Sequence, residues 1–153
     1  LTTSWYLSYP RRDRVSKPTV NNIRLVDYKA IELINEREKG KNNYLVFTNQ
    51  TIGAGAIQKY GFGPYYDSPW GEIQYYSVPM ASEMYKRYQR ILHSTYFDPI
   101  WIYEILEKTN IDKAYFIFTD YYPVLHTTNN QIEALSTNSW NIENKVMIYE
   151  LMR

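Results

Sequence analysis

Two runs that are apolar at nearly every position, YLVFT at 44–48 and AYFIF at 114–118, constrain the fold of this chain most tightly. A strand without polar alternation has to be covered on both faces, and such sheets are built from strands joined by helical crossovers. The surrounding segments read as helices. Ile23, Val26, Ala30, Leu33 and Ile34 recur at helical spacing, with Asn21 or Asn22 as cap, an end near Lys39 and Gly40 where a terminating glycine belongs. Asn49 or Thr51 opens a short helix over 52–60, and Ser82 one that runs to about Leu92. Asp98-Pro99 is a start signal for a third, to Lys108. Residues 5–9 and 72–78 read as further strands, 129–139 as weakly helical, and 145–152 as an alternating, half-buried strand. Together they predict one soluble α/β domain over 1–153, with 1–22 as a peripheral basic and aromatic segment. The expected architecture is a three-layer sandwich around a mainly parallel sheet, with one antiparallel edge strand allowed.

Composition narrows the function. Formal net charge is +1, so nucleic acid is not an expected partner. The local exception, Arg11, Arg12, Arg14 and Lys17, reads as a solvated loop. Without cysteine there is no thiol catalysis, disulfide or thiolate metal site. His93 and His126 fit no metal spacing, and no Ser-centred nucleophile elbow occurs. Neither a metal nor a cofactor is expected. No apolar run is long enough to span a bilayer, and no signal-peptide pattern occurs. The chain begins at Leu1, as expected of a processed product or a piece of a longer protein.

Seventeen tyrosines raise the aromatic content to 17 %, more than one core readily hides. Tyrosine favours half-buried positions, with its ring packed and its hydroxyl near water or a partner. The densest group is Tyr60, Phe62, Tyr65, Tyr66, Trp70, Tyr75 and Tyr76, beside Asp67 and Glu72. These rings could stack on sugar faces, form the centre of a protein interface or pack in the core. Two strand exits are the other candidates, since open α/β sheets bind ligands beyond the carboxyl ends of their strands. At 48–56 the small residues Gly53, Ala54, Gly55 and Ala56 fit tight packing better than a phosphate loop. At 118–122, Asp120 is placed to serve as base, ligand or hydrogen-bond acceptor, flanked by Tyr121 and Tyr122. A glycosidase needs a second acid, which only Asp67 or Glu72 could supply. Asn49-Gln50-Thr51 also matches a glycosylation sequon. The binding candidates are therefore Tyr65, Tyr66, Asp67, Trp70, Tyr76, Asp120, Tyr121 and Tyr122, and none is assigned a catalytic role.

Several segments carry a family resemblance: 27–35, 44–50, 60–63, Val78-Pro79, Met84-Tyr85, 112–116 with Asp120-Tyr121, and 146–150. Across residues 27–151 the chain resembles the soluble extracytoplasmic domain that follows the transmembrane helices in some large, glycosyltransferase-like multi-pass membrane proteins. The resemblance implies an accessory domain on the extracytoplasmic face, packed against the rest of a membrane protein or another protein, and contacting glycan or lipid-linked sugar. It implies catalytic carboxylates in membrane-proximal loops outside this chain, and a basic stretch at 11–17 near the membrane surface.

Overall fold

A computed structural model describes residues 23–39, 43–60, 83–121 and 126–153, together with 65–68 and 71–74; for 65–68, 71–74, 126 and 127 it describes the backbone alone. Among the described residues there are five helices and two sheets. The chain runs α1 (Leu25–Arg37), β1 (Leu45–Phe47), α2 (Gln50–Tyr60), β2 (Tyr65–Ser68), β3 (Gly71–Gln74), α3 (Glu83–His93), α4 (Ile100–Thr109), β4 (Lys113–Thr119), α5 (His126–Leu135), β5 (Asn138–Ile142) and β6 (Val146–Met152).

Local chemistry sets the helix ends. Arg24 takes the extended N-cap conformation of α1, and the carboxylate of Asp27, three residues on, reaches back to accept its backbone N–H at 2.8 Å. That acid in the first turn and Arg37 in the last both complement the helix dipole. The helix thus starts later than Asn21 or Asn22, which lie outside the described residues, as do Gly40 and the expected strand at 5–9. Asn49 caps α2 as expected, its Oδ1 accepting the N–H of Ile52 at 2.9 Å. The Asp98 carboxylate likewise accepts the N–H of Ile100 at the start of α4. At the other end of α4, Asn110 takes the left-handed conformation that terminates a helix.

The main sheet has the order β1-β4-β6-β5. Only β1 and β4 are parallel, with Leu45, Val46 and Phe47 opposite Ala114, Tyr115 and Phe116. The pairs β4–β6 and β6–β5 are antiparallel, so the sheet is mixed and mostly antiparallel, which corrects the expectation of a mainly parallel one. The cause is a tight hairpin. Glu143 and Asn144 both have positive φ (54° and 55°), and the N–H of Lys145 donates to Ile142 O at 3.0 Å. Two successive positive-φ residues make a type I′ turn, and strands joined so tightly must return antiparallel. The last strand, β6, consequently lies inside the sheet and not at its edge, and is buried at all but its second and last residues. The edge is β5, in a segment whose first residues were expected to be helical.

Helices cover both faces. Val26, Ala30, Ile31 and Ile34 of α1, with Ile52 and Ala56 of α2, pack on Val46, Tyr115, Ile117, Val146 and Ile148. On the other face α3, α4 and α5 contribute Met84, Tyr88, Ile91, Ile102, Ile105, Leu106 and Ile132 against Leu45, Phe47, Phe116, Phe118, Tyr149 and Leu151. The small residues of α2 do serve packing. A Cβ at Gly55 would meet Ile31 Cδ1 at 3.0 Å and Ile23 Cγ2 at 3.1 Å, so the close neighbour is α1 and the residue before its cap. β2 and β3 form a separate two-stranded sheet, with β2 lying against α4. The strand expected over 72–78 is thus Gly71–Gln74 in that hairpin, and 75–82 lie outside the described residues.

Candidate functional site

The two strand exits singled out in the sequence meet in space. Asn49, just past β1, donates from Nδ2 to the Thr119 hydroxyl at 2.8 Å, and both side chains are buried. The same amide caps α2, so Asn49 fixes the β1–α2 corner to the end of β4. A glycan on its Nδ2 would require removing a buried side chain, and the sequon is not usable in the folded chain.

One residue on, the N–H of Asp120 donates to Lys145 O at 2.9 Å, and its carboxylate faces the start of α1. Arg24 Nη1 lies 2.7 Å from Asp120 Oδ1. The rest of that guanidinium is spent on Asp27, with Nε 3.2 Å from Oδ2 and Nη2 3.1 Å from Oδ1. Its plane sits over the Tyr121 ring, 3.9 Å from Cζ to the centroid, and the Tyr121 hydroxyl donates to Asp27 Oδ2 at 3.2 Å. Asp27 is fully buried and accepts from one backbone N–H, two guanidinium N–H groups and one phenol. This completeness is what permits a carboxylate to be buried there.

The electrostatics follow from the geometry. Burial works against the charge on Arg24, but the hydrogen bonds to Asp27 and Asp120 outweigh it and hold the guanidinium above its ordinary pKa. The Tyr121 phenol is pushed up to about 12, by burial first and then by the negative charge of Asp27. The cluster sets a guanidinium between two carboxylates, under a phenol that keeps its proton at neutral pH. It lacks a base beside a nucleophile, and its one partly open acid, Asp120, has its charge matched by Arg24. What it offers a ligand is the exposed edge of that carboxylate beside an aromatic ring.

The remaining candidates lie elsewhere. Tyr65, Tyr66 and Asp67 are on β2, and Glu72 on β3 stands directly opposite Asp67. Their hairpin lies against α4, which packs on the sheet face opposite α1. Trp70, Tyr76 and Tyr122 lie outside the described residues. His93 is exposed at the end of α3, where its ring meets Gln89 Oε1; the side chain of His126 is outside the described set. Among the described residues no three His, Cys, Asp or Glu side chains are grouped to hold a metal. None of the helices described is long and apolar enough to cross a membrane.

A second polar cluster, which the sequence did not reveal, occupies the opposite end of the α1 face. Glu38, buried just past α1, accepts from Lys113 Nζ and from the Tyr115 hydroxyl, both at 2.6 Å. Glu150 of β6, also buried, accepts from Arg37 Nη2 at 3.1 Å and Asn138 Nδ2 at 3.2 Å, with Lys113 at 3.8 Å. Burial, and then the hydrogen bond to Glu38, drive the Tyr115 phenol far above its ordinary pKa. Two acids are balanced by two bases, and Arg37 also stacks on Trp140 at 4.4 Å. The available signal was Glu150 and Lys113 interrupting apolar strands, but only the fold shows that they converge.

Comparison of the chain with protein-family models, with curated proteins and with solved structures gives no match.

Proposed function

We propose that this chain is a non-catalytic accessory or interaction domain of a larger, glycosyltransferase-like membrane protein, placed on the extracytoplasmic side and presenting an aromatic-rich contact surface. The observation that carries the non-catalytic part is the state of Asp120. The carboxylate best placed for chemistry, at the end of a parallel strand, is neutralised at 2.7 Å by an arginine that is itself locked to a buried acid. Such a carboxylate organises the α1–β4 junction instead of moving protons. The membrane parent rests on the family resemblance, and the contact surface on the tyrosine-rich hairpin and the exposed rings of Tyr60 and Tyr96.

A second reading, carbohydrate binding or turnover through Asp120 with Asp67 or Glu72, draws on one observation. The Asp120 side chain is 42 % exposed beside the Tyr121 ring, a pairing suited to a sugar hydroxyl and its apolar face. The test is a titration of the chain with mono- and oligosaccharides by calorimetry, alongside assays with glycosides and activated sugar donors. No turnover is expected, and any glycan binding should survive Asp120→Asn. Turnover, or saturable binding lost in Asp120→Asn while the melting temperature is unchanged, would establish the carbohydrate reading in its place.

A further inference from the structure

We infer that a second copy of this chain docks edge to edge on β5, antiparallel about Trp140, extending the four-stranded sheet into a continuous eight-stranded one. β5 is the outer strand next to β6, and among the described residues no strand lies along its other side. An open edge exposes a row of backbone donors and acceptors, which proteins guard with lysine, proline, bulges or shortness. The opposite edge is guarded in this way, since β1 has three residues, all buried. β5 has five, Asn138, Ser139, Trp140, Asn141 and Ile142, with no charge and no proline, and three of them are exposed.

Charge selects the occupant. α1 rests over β6 and β5. Lys29 bonds Glu143 in the β5–β6 turn and Arg37 stacks on Trp140, which fixes the Lys29-to-Arg37 stripe above the edge strand. Leu33 packs on the same side as Trp140 and Ile142. Glu36, seven residues after Lys29, falls on that stripe too and is exposed. A twofold axis through Trp140 runs the two α1 helices antiparallel across the joint. Lys29 then faces Glu36 of the second copy, and Glu36 faces its Lys29. A parallel joint of the same two edges would turn one copy over and put the two α1 helices on opposite faces of the sheet, where neither pair can form. On the other face the twofold places Ser139 opposite Asn141 of the second copy, twice, where neither pairing carries a charge. The edge is self-complementary only in the antiparallel sense, as an isologous interface requires.

The experiment is sedimentation velocity on the full 153-residue chain, from low micromolar to about 100 μM, where even a weak edge contact is populated. The wild type should shift from monomer to dimer across that range. Glu36→Lys, which makes both cross-joint pairs repulsive, should weaken the dimer by about tenfold or more. Lys29→Glu combined with Glu36→Lys should restore it. Asn141→Lys, which guards the edge, should abolish it, with circular dichroism confirming that each variant is folded. A wild type that stays monomeric throughout, or a dimer insensitive to both Glu36→Lys and Asn141→Lys, overturns the inference. The proposed non-catalytic role uses none of these residues and stands or falls separately.

Discussion

Asp27→Ala is expected to lower the free energy of unfolding by about 3 kcal/mol, read from urea denaturation followed by tryptophan fluorescence. Asp27 is fully buried and is the common acceptor for the Arg24 backbone, the Arg24 guanidinium and the Tyr121 phenol. Removing it leaves a cation and a hydroxyl without their partner at the junction of α1 and β4, and leaves the first turn of α1 uncapped. The loss stays near the lower end for a broken buried pair because Arg24 is 27 % exposed and retains Asp120. Asp27→Asn, which keeps an acceptor but not the charge, should cost less. Hydrogen exchange should quicken in the first turns of α1 before the sheet is affected. A loss below about 0.5 kcal/mol for Asp27→Ala, the size of an ordinary surface change, would show that the cluster does not hold α1 in place.

Lys113→Met should have an effect of similar size, about 3 kcal/mol, by the same measurement. Lys113 Nζ lies between two buried acids, 2.6 Å from Glu38 and 3.8 Å from Glu150. Without it Glu38 keeps only the Tyr115 hydroxyl among the donors described above, and the cluster acquires an uncompensated negative charge. The physical signature is non-additivity. Glu38→Leu in the Lys113→Met background should recover much of the loss, because replacing both members of a buried ion pair by apolar groups is far milder than removing one. If the two substitutions simply add, Lys113 does not act through Glu38.

The sequence shows some parts of this molecule plainly and hides others for physical reasons. β1 and β4 are legible because burial on both faces leaves continuous apolar runs, and Asn49 and Asp98-Pro99 mark helix starts by local hydrogen bonding. β5 is hidden because an exposed edge strand needs no apolar run, and its Asn and Ser are residues that ordinarily favour turns. The antiparallel course of β6 follows from positive φ at Glu143, a residue whose chemistry gives no sign of that conformation. Asp120 and Tyr121 stand out as a strand exit, yet their partner Asp27 is 94 residues from Tyr121, in a helix whose acid reads as an ordinary first-turn charge. Lys113 and Glu150 appear as isolated charges in apolar strands until the sheet register pairs their neighbourhood with the end of α1. Tertiary contacts decide each of these, and no local pattern records them.

The most direct test of whether Asp120 is structurally committed is a double-mutant cycle between Arg24 and Asp120, using Arg24→Met, Asp120→Asn and the double variant. The two side chains are 27 % and 42 % exposed, so solvent screens the pair and the coupling should be modest. A stabilising coupling of about 1 kcal/mol, weakening as salt is raised, is the predicted result. A coupling indistinguishable from zero would mean that Arg24 does not hold the Asp120 carboxylate. The strand-end acid would then be free to serve a ligand, contrary to a non-catalytic domain closed by its own charges.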